Sequence, residues 1–493
     1  NGITNNANIG SLLVNESVSY KGNGSISNAL EVAQNKTLTA TNGITFNANK
    51  GSVNNLGTIA GDLTLKGSSN TLSNAGTING NLTNSANTST IANSGSINGT
   101  IINNATNGTI INANNSNIAA LDINESVIYN QGTNANITSN IDIAQNKTLR
   151  ADYGITLNAN NGNVNNEGIL AGILTLEGSS NSVTNSGSIT TIINNASNSN
   201  LTNNSNIGSL AVYENLTYNG NGNDRITQAL EVAKDKILTI QNSGTLYFNA
   251  SNNTTNRIIN NLGTIAGNLS NVSNSTLDAF NNSGRLNGNI TNNTNSTITN
   301  FTNSGTITGN LYNEGHIDTL HNKGTMGTIY NRSKNTIKNL LNDKNSVIAG
   351  IDNSKGRYDL IQNQGTILGD IKNDNGTITN LFNANSGTIT GQIISNGDSN
   401  IGTIINAGVI NSSHTMNDSD IQNTSNDAIS LNTITNVVTA ISNSGSINGN
   451  VRVAGNSEVD LIQNSKVIAG CIILEGGRIG NINNANGAIA NCM

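Results

Sequence analysis

The 493-residue chain has no Pro and no Trp, 2 Cys, 3 Met and only 3% aromatic residues; charged residues make up 10%. Each shortage excludes something. Pro cannot donate to a β ladder and is kept out of central strands, so a chain without it suits strands that have neighbours on both sides. A formal net charge of −6 leaves no basic footprint for nucleic acid or for an anionic membrane surface. No apolar run approaches the roughly 18 residues of a spanning helix. The longest, VIAGCIIL at 467–474, has strand length and is broken by Gly. The opening NGITNNANIG has neither the charged region nor the apolar core of a secretory leader, so no signal peptide is expected in it. Disordered tracts are rich in Pro, Glu and Lys, and this chain is not.

What is present is repetition. Gly numbers 52 and Asn is commoner still. Ile, Leu, Val and Thr recur between them at regular spacing, which favours strands. The short phrase is N-x-G-x-I-x-G-x-(I/L)-x, as in NAGTINGNLTN (74–84), NSGSINGTIIN (93–103), NSGTITGNLYN (303–313), NSGTITGQIIS (385–395) and NSGSINGNVRV (443–453). A longer unit occurs three times. It opens as NIGSLLVNESVSY (8–20), NIAALDINESVIY (117–129) and NIGSLAVYENLTY (206–218). It continues as EVAQNKTLTA (31–40), DIAQNKTLRA (142–151) and EVAKDKILTI (231–240). It then reads NNLGTIAGDLTL (54–65), NNEGILAGILTL (165–176) and NNLGTIAGNLSN (260–271).

Two short phrases make about twenty residues, one turn of a parallel β-helix with three faces. Ile, Leu and Val point inward and stack on the next turn; Gly and Asn take the corners because they tolerate positive φ. Stacked Asn side chains can hydrogen-bond as a ladder. The expectation is one all-β domain over 1–493, a solenoid of about 25 turns. The long units fill 1–290 and the short phrase 291–493, with a loop excursion near 417–440. Ile59 and Ile307 should face inward, and Thr306 and Thr308 outward. A helical alternative is disfavoured, because Gly at an interior position costs roughly 0.5–1 kcal/mol. Only SNALEVAQ (27–34) and TQALEVAK (227–234) offer a place for a short helix.

The segment NNLGTIAGDLTL resembles the N-x-G-x-I-x-A-G-x-L-x-L repeat of filamentous-haemagglutinin-type exoproteins. NSGTITGNL resembles the Asn- and Gly-rich passengers of bacterial autotransporters, including the vacuolating-cytotoxin-like group. The resemblance covers most of the chain in repeat style. It implies a right-handed parallel β-helix, exported across the outer membrane to the cell surface or secreted. It also implies virulence roles: adhesion, aggregation or toxin action. Partners would be a host-cell or neighbouring-cell surface glycan or protein, together with self-association. The chain departs from the pattern in showing no C-terminal membrane barrel and no signal segment, so a passenger, or part of one, is what the resemblance implies.

Little of the sequence points to catalysis. GDSNI (397–401) is similar to a serine-protease nucleophile loop but lacks its second Gly and Ser, and only His316, His321 and His414 could act as bases for Ser399. His316 and Asp318 flank the inward Ile317, so with Glu314 and His321 they read as surface groups rather than a metal site. Lys355, Arg357, Tyr358 and Asp359 form the densest charged patch, a solvated turn or the rim of a sugar cleft. Gly22 and Gly24 precede no helix, so no phosphate loop is indicated. No catalytic, cofactor-binding or metal-binding residue is expected. Asn124 in DINES (122–126) fits an acidic bacterial glycosylation sequon. Cys471 and Cys492 stand 21 residues apart, one turn of the inferred coil, which puts equivalent Cα atoms within disulfide range; a C-terminal Cys pair also fits the autotransporter resemblance. The alternative is two unpaired buried thiols. The sequence therefore favours a non-enzymatic, surface-exposed passenger, with a vacuolating-type toxin and a β-helix polysaccharide-processing enzyme as alternatives.

Overall fold

A computed structural model describes every residue except 1, 243, 250–256, 333, 413–425, 435–436 and 491–493. The fold is all-β, a parallel solenoid of about 23 turns, and no α-helix occurs among the described residues. By its contacts the chain divides into two units, Asn1–Ile226 with Lys236–Ser243, and Thr227–Asp235 with Gly244–Met493. This division lies upstream of the change in repeat style near 290.

Each unit is built from three-strand turns. In the first, Ser52–Asn55, Thr58–Ala60 and Leu63–Ser68 make one turn; Thr71–Asn74, Thr77–Ile78 and Leu82–Asn84 make the next. Leu72 lies against Val53, Ile78 against Ile59 and Leu82 against Leu63. In the second unit Ile317 lies against Ile298 and Leu320 against Phe301. Alternate residues point to opposite faces of a strand, so the inner ones form continuous apolar columns. Ile59 and Ile307 are buried, Thr306 is half-buried and Thr308 exposed, as the phrase requires.

The two places left open for a short helix are strands, and the bounds of the excursion need correction. Segments 27–34 and 227–234 hold no helix: Ser25–Val32 and Arg225–Val232 are strands whose alternate residues are core. The excursion at 417–440 is narrower at its C-terminal side. Asp427–Thr433 and Val437–Asn443 are ladder strands, while 417–425 and 435–436 lie outside the described residues. The extra chain falls between Val409–Asn411 and Asp427, and lengthens one step of the ladder to 37 residues, from Asn406 to Asn443. Longer steps explain why there are fewer turns than the expected 25.

The corners also differ from expectation in their physics. Asn does supply positive φ, as at Asn35, Asn107, Asn146 and Asn295. The phrase Gly has another reason. A Cβ on Gly305 would sit 2.0 Å from the carbonyl oxygen of Gly284 in the turn before, so close stacking of backbone on backbone, not φ, demands Gly there.

The interior is not wholly apolar. In the second unit a column of buried Asn side chains runs from Asn261 through Asn282, Asn303, Asn322, Asn342, Asn363, Asn383, Asn406 and Asn443 to Asn464. Each Nδ2 donates to the Oδ1 of the next, at 2.7–2.8 Å. Most also donate to a backbone carbonyl one turn on, as Asn303 does to Thr325 at 3.0 Å. A second column links Asn271, Asn292, Asn313, Asn331, Asn353 and Asn373 in the same sense. In the first unit Asn55, Asn74, Asn93 and Asn112 form a third.

Because every bond points the same way, a column's first Asn has a donor used and an acceptor empty. Oδ1 of the column-heading Asn55, Asn166, Asn261 and Asn271 is buried without a partner, as is that of Asn194, which stands alone before Val212. Each of these follows an apolar residue in the preceding turn: Val32, Ile143, Leu176, Val232 and Phe248. Leaving a buried acceptor empty costs about 1–3 kcal/mol, so few long columns are better than many short ones. Three times in the first unit Tyr closes the other end, whereas in the second unit Asn464 donates to Asn484 and Asn373 to Ser395. Asn5, Asn112 and Asn203 donate to the buried phenol oxygens of Tyr20, Tyr129 and Tyr218 at 2.8, 3.2 and 3.0 Å. These are the Tyr residues that end NESVSY, NESVIY and YENLTY.

Substitution should show this polarity. Asn303→Val interrupts a column, leaving Asn322 Oδ1 with only the long 3.4 Å bond from the Gly324 amide, and should destabilise by about 1–3 kcal/mol. Asn261→Val only moves the column's start by one turn, extending the apolar run from Val232, and should cost clearly less. Denaturant melts of the two variants compare them; equal losses would mean that the columns carry no directional stability.

Candidate functional site

The residues singled out for chemistry are dispersed. Ser399 is buried, and its hydroxyl lies within hydrogen-bonding reach of the carbonyls of Asn373 (2.7 Å) and Asn396, so it pins a corner. His414 lies outside the described residues. His316 and His321 face outward and each meets one carboxylate: Nε2 of His316 is 2.9 Å from Asp318, and that of His321 is 2.7 Å from Asp343. Among the described residues no three His, Cys, Asp or Glu side chains converge. The patch around 355–359 splits. Arg357 and Asp359 pair at 2.7 Å in the open and Lys355 is an exposed corner, but Tyr358 is fully buried core, and burial pushes its phenol well up. It is no part of a rim, because its neighbours in the ladder are Ile337 and Ile378. Gly24 serves close packing: a Cβ would fall 2.0 Å from the carbonyl of Ala7. Asn124 sits in the corner before Val127–Gln131, half-buried, its Nδ2 donating to Asn104 at 3.0 Å. Cys471 is buried, with its amide donating to Asn450 Oδ1 at 3.0 Å; Cys492 lies outside the described residues.

The three long units provide an internal comparison. The same ion pair recurs in each: Lys36–Glu16, Lys147–Glu125 and Lys236–Glu214, all at 2.9 Å. The inward residues also match in type. The outward ones do not. The middle unit carries Ile128 where the others have Ser19 and Thr217, and Ile169 where they have Thr58 and Thr264. It carries Ile173 in place of Asp62 and Asn268. Tyr153 and Arg150 stand where the first unit has Asn42 and Thr39. Ile128, Ile169, Ile173 and Tyr153 are exposed by 40%, 46%, 43% and 77%. Ile128 pairs in the ladder with Arg150, so the substitutions gather on neighbouring turns. A shallow groove runs along Ser126, Ile128, Thr148 and Arg150, and a second lies between Tyr153, Ile111 and Gly132.

In the second unit the outward column Thr291, Tyr312, Tyr330, Asp352, Lys372 concentrates aromatic and charged groups. The rings of Tyr312 and Tyr330 stack with centroids 5.0 Å apart and planes 8° from parallel, and the Arg332 guanidinium lies 4.9 Å from the Tyr330 centroid.

Further along, alternation fails. In Asn450–Gly455 five successive residues are buried, outward ones included. Arg452 Nε reaches Asp427 Oδ2 at 2.7 Å and its Nη1 reaches Glu475 at 2.7 Å; Asn450 donates to Asp427 Oδ1 at 3.2 Å. Burial pushes the Asp427 carboxyl up, and the Arg452 guanidinium opposes it. Sequence reasoning missed this pair because Asp427 fell inside the expected excursion.

No family model, no curated protein and no solved structure matches the chain.

Arg452→Met would leave the Asp427 carboxylate buried without its cation and should loosen this segment by about 3–5 kcal/mol. Asp427→Leu with Arg452→Met removes both charges and should cost much less. Hydrogen exchange of amides in 427–433 and 450–455 is the measurement; equal loss of protection in both variants would show that packing rather than charge governs the site.

Proposed function

We propose that the chain is a non-enzymatic passenger, surface-exposed or secreted across the outer membrane, whose outer side chains contact a glycan or protein on a host or neighbouring cell. The observation that carries this is the contrast between a repeating interior and a non-repeating exterior. Three copies of one long unit keep their core and their Glu–Lys pair. One copy replaces small polar outward residues with Ile128, Ile169, Ile173 and Tyr153. The coil does not need these side chains, since the other copies fold the same strands without them. Exposed apolar and aromatic groups cost solubility, and contiguous ones mark interaction surfaces.

The experiment returns the middle unit to the chemistry of its neighbours. Ile128→Ser, Ile169→Thr, Ile173→Asn and Tyr153→Asn, made together, should leave the β circular-dichroism spectrum and melting temperature nearly unchanged. Attachment of chain-coated beads to epithelial cells or to other bacteria should fall by about tenfold. Attachment equal to that of the unaltered chain would remove the support taken from this face. Absence of attachment by the unaltered chain, or turnover of polysaccharide by it, would overturn the reading.

A further inference from the structure

An outer ladder in the second unit runs beside the buried Asn columns. Oδ1 of Asn268 accepts the amide hydrogen of Asn289 in the next turn (2.7 Å), Asn289 that of Asn310 (2.8 Å), and Asn310 that of Thr328 (2.9 Å). Two turns on, Asp370 does the same for Gln392 (2.9 Å). Thr328 and Gly350, which lie opposite each other, interrupt the series. Gly350 is not required by the coil. A Cβ there would meet nothing nearer than 3.6 Å, and its φ is ordinary, whereas a Cβ on Gly369 would fall 2.7 Å from the Ala349 carbonyl. Gly350 is itself buried and forms the floor of a groove between Thr328 and Tyr330 on one side and Asp370 and Lys372 on the other, with Asp352 at its end.

The walls suit a sugar. Tyr330 is held by Tyr312 behind it, at 5.0 Å and 8°. Arg332 lies 4.9 Å from the Tyr330 centroid and 5.7 Å from that of Tyr312, so it sits beside the stacked pair and not on the face of Tyr330 turned away from Tyr312. Ionised carboxylates are acceptors only and match hydroxyl donors, while an ammonium supplies donors for sugar oxygens. A peptide adding as a strand needs a free sheet edge. Thr325–Arg332, Val347–Ser354 and Ile371–Asp374 each pair on both sides, so none is offered. Two carboxylates against one lysine disfavour acidic sugars.

We propose that this groove is a subsite for a neutral hexopyranose unit of a surface glycan, with Tyr330 as the stacking wall and Asp352 and Asp370 accepting from its hydroxyls. The proposal rests on the surface-contact reading above and gives it a ligand class at a second place on the chain.

The test uses the full chain on a printed array of neutral and sialylated hexopyranose oligosaccharides. Binding to neutral members is expected, reduced by about tenfold or more in Gly350→Asn, which refills the groove, and in Tyr330→Ala. Tyr330→Phe, which keeps the ring, should bind within about twofold of the unaltered chain. The melting temperature of Gly350→Asn should match the parent, separating loss of the groove from loss of fold. Equal binding by Gly350→Asn, preference for sialylated members, or no binding to the array would overturn the subsite. A chain that ignores the array yet attaches to cells stripped enzymatically of their glycans would overturn the subsite and leave the surface-contact reading standing. A chain that attaches to no cell would overturn that reading itself.

Discussion

The amide–amide hydrogen bond between an Asn and the same Asn one turn later is the interaction on which the interior depends. In a parallel coil each turn lies on the next at about 4.8 Å, so an inward side chain meets the side chain at the same position in the neighbouring turn. A buried polar group can then be satisfied along the column only by a like or complementary group. Asn meets this condition because it carries a donor and an acceptor and can pass one hydrogen bond along per turn. The price is polarity, visible as the empty Oδ1 atoms at Asn55, Asn166 and Asn261. The buried Tyr20, Tyr129 and Tyr218 then appear as the other half of the same device, because each phenol oxygen accepts the donor that would otherwise be left over at a column's end.

A core defined by columns leaves the outside free. Outward side chains at Ile128 or Tyr330 take no part in inner stacking, so their identity can change without altering the strands that carry them. Where they change together, over the middle long unit and around Gly350, the change is informative, because the coil gives no structural reason for it. The exception is Asp427 with Arg452, where outward groups are buried and charge must be matched. There the exterior obeys the same satisfaction rule as the interior.

Much of this was legible in the sequence. The period, the parallel coil and the inward setting of Ile59 and Ile307 follow from the ten-residue phrase, because strand alternation and the Gly corners leave one consistent register. What was not legible depends on contacts between turns. The reason for Gly305 is the carbonyl of Gly284, a residue in another turn. Tyr358 sits among charged residues in sequence but between Ile337 and Ile378 in space. The resumption of strand at Asp427 is masked in sequence by the loss of the phrase, since DAISLNT alternates without its Gly. The candidate faces were illegible for a related reason: Tyr312 and Tyr330, or Ile128 and Arg150, become neighbours only once the length of each turn is known.

Stability in such a coil is largely a sum over adjacent turns, and this bears on where recognition can be placed. A side chain that contacts a partner must tolerate change without unsettling the core. In a globular core a change propagates through close packing, whereas here an outward change is felt by its own turn and the two beside it. Gly350 illustrates the limit. It lies on Val347–Ser354, whose inward residues Ile348, Ile351 and Asn353 hold the apolar columns and the second Asn column in register. The strand is thus fixed from within, while its outer surface at Gly350 is set by nothing but the side chains of the turns on either side. A groove opened there inherits rigid walls from the ladder and requires no compensating change elsewhere.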